Sequence, residues 1–280
     1  MMDNRVSNNH TRTPAVHEIN CKNILNPSRI YGVDYALNPY TGCQHGCAYC
    51  YAIFMKRYRP HREEWGEFVD VKVNAPEILA RTINRKTKGL VLLSSVTDPY
   101  QPQEKHYRLT RLCLELLHQH EFPVSILTKS DLVVRDIDIL ETMKDVEVGF
   151  TITTLDDGVR RVFEPQASPI QARLKAIQKL TDKEISTFAF IGPILPYLSE
   201  PFLPNLIDNL AKLGVHHVLI DRLNPRQGTW PRIEAVLQEH YPHLVDPFRD
   251  ALYNDSYFER LKVDLTVYCE KANLPYEFCF

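Results

Sequence analysis

The chain has no run of eighteen apolar residues, so no membrane span is expected. Its first residues, MMDNRVSNNHTRTP, lack an apolar h-region, and no secretory signal is expected either. Internal repeats and low-complexity stretches are also missing. There is no excess of positive charge: 33 Lys and Arg against 35 Asp and Glu leave a formal net charge of -2. That balance gives no global attraction to a nucleic-acid backbone, although a local basic patch is compatible with it. These absences point to a cytoplasmic protein that does not engage membranes. The 280 residues, 44% hydrophobic and 24% charged, suit a large buried core in one domain with appendages. Seven cysteines, odd in number and unevenly spaced, argue in a reducing compartment for metal binding or buried thiols rather than disulfides.

Hydrophobic patterning divides the chain into an N-terminal arm (1–30, polar and aperiodic at its start), a βα-repeating body (31–225) and a helical C-terminal extension (226–280). Alternation in VDYAL (33–37) and FVDVKV (68–73) reads as strand. The apolar runs LVLLS (90–94), VSILT (124–128), VEVGFTIT (146–153), ISTFAFI (185–191) and HHVLI (216–220) suit parallel strands covered on both faces. Helical stretches fall near 76–87, 104–120, 135–144, 168–182 and 200–213, with Asn74 as an N-cap and Ser168 before Pro169 as a second helix start. Repeated βα units imply an α/β fold with a parallel sheet, either an open doubly wound sheet or a full or partial barrel. In each, the functional residues lie just after the strands.

The stretch NPYTGCQHGCAYCYA (38–52) holds Cys43, Cys47 and Cys50 at spacings of four and three. A structural zinc site closes a tetrahedron with four protein ligands. Here only His45 is near, and no second CxxC or HxxxH pair occurs. Inert buried thiols would be expected on the stripe of a core element, not in a loop with two glycines. The third option is a 4Fe-4S cluster held by three thiolates, with one iron left open, which accounts for the missing fourth ligand.

C-x-x-x-C-x-aromatic-C after the first barrel strand resembles the signature of the radical S-adenosylmethionine (SAM) superfamily. GCQHGCAYCYA, SSVTDPYQPQE, LTKS, GFTITT, FEPQASPIQARLKAI and IGPILP follow in order and resemble the spore photoproduct lyase-like (DNA repair photolyase-like) branch, from about Asn38 to Pro196. The resemblance implies a partial (β/α)6 TIM-like barrel and an enzyme that cleaves SAM to a 5′-deoxyadenosyl radical. It implies Cys43, Cys47 and Cys50 as cluster ligands, Tyr49 and Tyr51 as aromatics near the cofactor, and Thr97 and Asp98 at the methionine amino group. Lys129 and Thr151 match further SAM contacts, and Arg173 a partner for a carboxylate. A flavodoxin- or ferredoxin-type reductant is implied, with a nucleobase, nucleoside, small metabolite or peptide as substrate. A non-catalytic iron-sulfur or zinc-binding module is the alternative.

Each of these side chains has a plainer reading. Asp98 before Pro99 is a turn residue, Lys129 a loop lysine, Thr151 a strand residue, and Arg173 one half of an ordinary ion pair. Where spore photoproduct lyases carry a hydrogen-donating cysteine, this chain has Ser95, a poor hydrogen-atom donor. Cys113 and Cys269 lie at helical spacing from leucines and read as core. RYRPHREEW (57–65) reads either as a phosphate- or base-binding stretch or as a charge-balanced solvated face. Asp221 and Arg222 follow the last barrel strand and read as substrate-orienting residues or as a structural pair.

Overall fold

A computed structural model of the chain describes residues 14–225 and 228–280. Strands β1 (Ala15–Ile19), β2 (Leu25–Pro27), β3 (Tyr35–Leu37) and β4 (Tyr40–Thr41) lead into the cysteine loop, and β5 (Phe68–Lys72) follows it. After α1 (Ala75–Thr82) comes β6 (Val91–Leu93), then α2 (Glu104–Tyr107) and α3 (Leu109–Gln119). β7 (Val124–Thr128) is followed by α4 (Ile137–Leu140), and β8 (Val146–Thr151) by α5 (Asp157–Phe163) and α6 (Ile170–Thr181). β9 (Ser186–Ile194) precedes α7 (Leu203–Lys212), and β10 (His217–Arg222) precedes α8 (Trp230–His240), α9 (Val245–Leu252) and α10 (Asp255–Lys271). The last element is β11 (Tyr276–Phe278).

β3, β6, β7, β8, β9 and β10 lie side by side and all parallel, the six strands of a partial (β/α)6 barrel. Their register aligns Leu37, Leu93, Ile126 and Val148 across four neighbours, all without solvent exposure. Helices pack against this row, and most of its strand positions are apolar. β2 flanks β3 antiparallel at one edge, and β11 flanks β10 parallel at the other. No helix among the described residues is long and apolar enough to cross a membrane.

Several expectations change. Of the expected arm, residues 1–13 lie outside the described residues, but Ala15–Ile19 forms a strand parallel to β5. β1, β5 and β4 make a separate three-stranded sheet, so FVDVKV is a strand outside the barrel row. The C-terminal extension is not wholly helical, because β11 adds backbone pairs to the otherwise open edge of β10. Ile233 and Leu237 of α8 and Phe248 of α9 share a core with Cys47, Ala48 and Tyr49, which makes the extension one wall of the cysteine site. Asn74 does not cap α1 with its side chain. Its Oδ1 accepts from Cys21 N–H at 2.8 Å and its amide donates to the Cys21 carbonyl at 3.0 Å, pairing backbone groups that pass over the helix start. Ser168 likewise does not cap α6, since its hydroxyl donates to Asp131 Oδ1 at 2.6 Å. Cys113 and Cys269 are buried core residues, as their helical spacing predicts.

Candidate functional site

The cysteine loop leaves the C-terminal end of β3, and residues following β6 hold its start in place. Asn38 accepts from Val96 N–H at 3.0 Å and donates to Ser95 Oγ at 3.2 Å. Gly42 has a φ of +83°, and a Cβ there would sit 2.5 Å from the Phe68 carbonyl, so only glycine fits. Its own carbonyl accepts from the Thr97 hydroxyl at 2.6 Å and from Gln101 Nε2 at 3.3 Å, while Gln101 Oε1 accepts from Gln44 N–H at 3.0 Å. A Cβ on Gly66 would lie 2.8 Å from Gly46 Cα, so the returning chain presses directly on the loop.

Cys43 and Cys47 are buried and Cys50 is partly so. Burial pushes all three thiols up, Cys47 to about 12, and Asp98 and the neighbouring thiols raise Cys43 further. Lys129 opposes the rise at Cys47 and Cys50, joined by Arg173 at the first and Arg232 at the second. Such thiols ionise when a cation takes the proton's place. Among the described residues the trio of ligand atoms lying within 4.8 Å of one another is His17, His61 and Glu63, not the three cysteines. The three thiols therefore do not all lie within 4.8 Å of one another, whereas tetrahedral zinc sets sulfurs roughly 3.8 Å apart. His45 does not complete a zinc set. Its Nδ1 lies 3.1 Å from the Gln166 carbonyl and its Nε2 3.2 Å from Asp98 Oδ2, off hydrogen-bond alignment. Three thiols with no fourth ligand grouped with them among the described residues fit a 4Fe-4S cluster better than zinc.

Asp98 is the hub behind the loop. Its Oδ1 accepts from Tyr100 N–H at 2.9 Å and the Thr128 hydroxyl at 2.7 Å, and its Oδ2 from Lys129 N–H at 2.8 Å. Burial alone would raise this carboxyl, but the His45 ring, the Thr128 hydroxyl and the Lys129 N–H together hold it well below the usual carboxylate range. Lys129 Nζ lies 5.7 Å from the Tyr49 ring centroid. Burial alone would lower its ammonium; Cys47, Glu164 and Asp98 outweigh that and raise it.

Tyr49 donates its hydroxyl to Glu164 Oε1, and Arg173 pairs with Glu164 Oε2. The same guanidinium donates to the Ser168 carbonyl through Nε and to the Thr151 carbonyl through Nη1, each at 2.8 Å. Arg173 thus meets a carboxylate, but one from its own chain. Tyr51, nearly half exposed, donates its hydroxyl to the Ser95 carbonyl. Asp221 and Arg222 belong to β10, and Arg222 turns to Asp255 at 3.1 Å and stacks over Phe258 and Phe280, an arrangement that packs the C-terminus.

Three residues of the site escape sequence reasoning. Glu164 lies in FEPQASPIQARLKAI but has no role assigned there, and the turn after α5 places it. Arg232 of α8 donates from Nη2 to the Gly46 carbonyl at 3.2 Å and the Trp65 carbonyl at 3.1 Å, clamping a loop far away in sequence. His45 carried a signal only as a zinc ligand, whereas it serves as the link between Asp98 and Gln166.

A parallel βα row with three thiols on the loop after its first strand is the arrangement that the comparisons place in a family. The chain belongs to the radical SAM superfamily, whose profile matches residues 37–202. An uncharacterised protein of Methanocaldococcus jannaschii is 39% identical over 65% of this chain and 69% of its own length. A "Radical SAM Nalpha-GlyT isomerase" of Pseudomonas phage M6 is 26% identical over 76% of this chain and 44% of its own. Among solved structures, a spore photoproduct lyase mutant superposes with a TM-score of 0.69 at 18% identity, covering 95% of this chain and 82% of that one. A second spore photoproduct lyase mutant, with bound AdoMet and dinucleoside spore photoproduct, gives 0.67 at 17% identity, with 95% and 81% covered.

Proposed function

We propose that this chain is a radical SAM enzyme in which Cys43, Cys47 and Cys50 hold a 4Fe-4S cluster, with S-adenosylmethionine on the open iron and a nucleobase or nucleoside as the hydrogen donor. The observation that carries the reading is the loop itself: three sheltered thiols at the C-terminal end of a parallel barrel, with the neighbouring histidine committed elsewhere. Bound there, cluster and cofactor supply one-electron cleavage of SAM to a 5′-deoxyadenosyl radical that abstracts hydrogen.

The chain's own residues divide the remaining work. Thr97 and Gln101 fix the loop through the Gly42 carbonyl, and Lys129 and Arg232 set positive charge against the thiolates. Lys129 Nζ, poised over Tyr49, is the cation for the SAM carboxylate. Tyr49, Tyr51 and Thr151 border the cofactor. Asp98 and Arg173 have their polar atoms taken by the protein, so their part is to position Lys129, His45 and Glu164. A flavodoxin- or ferredoxin-type protein supplies the electron.

The substrate class rests on the dinucleoside carried by one structural neighbour. A pocket lined by Lys105, Lys175 and Lys179, with Asp131 and the Glu104- and Asp136-paired Arg135 also in its wall, supports it by offering lysine cations to a phosphate. Ser95, in place of cysteine, points to a reaction other than hydrogen return from that position.

The test is electron paramagnetic resonance of the reconstituted, dithionite-reduced protein. A cluster signal that changes on adding SAM supports the reading. A signal indifferent to SAM favours a non-catalytic iron-sulfur module.

A further inference from the structure

Behind the cysteine loop, at the small sheet, three ligand atoms converge. His17 of β1, together with His61 and Glu63, places one nitrogen or oxygen per residue within 4.8 Å of the others. His61 Nδ1 lies 3.9 Å from Glu63 Oε2, and the His17 and His61 ring centroids are 5.4 Å apart. His61 and Glu63 belong to RYRPHREEW, whose Trp65 packs at the cysteine loop, but neither of these two residues has a part in the cluster chemistry.

Three observations set this trio apart from a chance surface cluster. The first is orientation. His61 Nε2 donates to Asp70 Oδ2 at 3.0 Å, and Asp70, on β5, has no solvent exposure. With the proton on Nε2, Nδ1 presents its lone pair toward Glu63, and a carboxylate behind an imidazole is the arrangement that orients metal-binding histidines. The ring is further fixed by stacking on Phe68, with centroids 3.8 Å apart and planes 14° from parallel. The second is an unmet bond: His17 Nε2 is buried with no hydrogen-bond partner, a costly state for an imidazole nitrogen. The third is charge. Asp70 Oδ1 is also buried without a partner, and the cation beside this carboxylate, Arg59 at 3.1 Å, is about half exposed.

We propose that His17 Nε2, His61 Nδ1 and the Glu63 carboxylate bind a divalent first-row transition ion, zinc foremost, with Asp70 orienting His61. Two imidazoles and one carboxylate are borderline donors that suit zinc and not calcium or magnesium. Zinc–ligand distances of about 2.0–2.1 Å place tetrahedral donors roughly 3.4 Å apart. The trio, its atoms within 4.8 Å of one another and His61 Nδ1 3.9 Å from Glu63, lies near that spacing, and Glu63, a third exposed, has room to turn toward an ion. Two carboxylates, Glu63 and Asp70, balance the charge of the ion, and water takes the fourth position. The site ties β1 and the segment before β5 to Phe68, the residue against which Gly42 is packed. It is therefore a clamp behind the cysteine loop, distinct from the thiol site.

The experiment uses the full chain carrying Cys43→Ala, Cys47→Ala and Cys50→Ala, so that no cluster thiol contributes. Cobalt(II) titration followed by visible absorption, then zinc competition, reads the affinity and the stoichiometry. The expected result is one equivalent per chain without sulfur-to-cobalt charge-transfer bands. Glu63→Gln and His17→Gln are each expected to weaken binding at least tenfold, and Asp70→Asn about 10–100-fold. Glu63 is partly exposed, so its substitution leaves the core intact, and circular dichroism confirms folding. Absence of stoichiometric binding, or binding unchanged in both Glu63→Gln and His17→Gln, overturns the proposal.

Discussion

Arg173 and Glu164 form an ion pair in which neither side chain has any exposure to solvent. Each partner's other polar atoms are also engaged: Glu164 accepts from Tyr49, and Arg173 donates to the Ser168 and Thr151 carbonyls. The pair thereby ties α6 to the end of β8 and to the aromatic residue between Cys47 and Cys50.

Removing one member leaves the other buried and uncompensated. Arg173→Met or Glu164→Gln alone should cost about 3–5 kcal/mol of stability. The double variant should lose clearly less than the two single losses added together, because it strands no charge. Urea unfolding of the four proteins measures this, and additive losses would mean that the pair is not a coupled unit.

Asp98 and Lys129 follow successive strands but should respond differently to substitution. Asp98→Asn weakens charge-assisted hydrogen bonds worth about 1.5–3 kcal/mol each and loosens His45, so cluster occupancy should fall. Lys129→Met leaves those bonds in place. It should keep the cluster and bind SAM at least tenfold more weakly, one opposed charge being worth about 1.4 kcal/mol or more in a sheltered site. Iron counts and SAM equilibrium dialysis on both variants would reveal the split, and a reversed pattern would exchange the two roles.

What could be read in the sequence follows from the range of the forces involved. VSILT became β7 with the same ends, because a strand covered on both faces writes its burial into its own composition. The cysteine loop was legible for a similar reason, its cysteines and glycines lying within fifteen residues. β1 was not, because its partner β5 lies beyond the whole loop and AVHEI exposes every second residue. The position of Asp98 after a strand was visible, but its partners, on β7 and in the cysteine loop, come together only in the fold. Arg232 had no local signal at all, since its acceptors are Gly46 and Trp65.

Cys47→Ala should lose most bound iron and sulfide, since two thiolates hold a cubane poorly. Arg232→Met should retain the cluster but lose it faster in air, because the Gly46 and Trp65 carbonyls are released. Absorbance decay near the iron-sulfur charge-transfer band reports both. A Cys47→Ala protein with full iron content would remove that residue from the ligand set.

If the substrate is part of a nucleic acid, the pocket cations should contribute. Lys175→Glu with Lys179→Glu should weaken oligonucleotide binding and flatten the dependence of log K on log salt by about 0.9 for each duplex phosphate that is no longer neutralised. An unchanged salt slope would assign the pocket to another ligand.

The most direct test of the central claim is anaerobic. The reconstituted wild type, dithionite and SAM are incubated beside the Cys43→Ala, Cys47→Ala and Cys50→Ala single variants, and 5′-deoxyadenosine is quantified by mass spectrometry. The account predicts 5′-deoxyadenosine from the wild type and none above background from any variant. A wild type with an intact, reducible cluster that forms none, with or without nucleoside and oligonucleotide substrates, would contradict it.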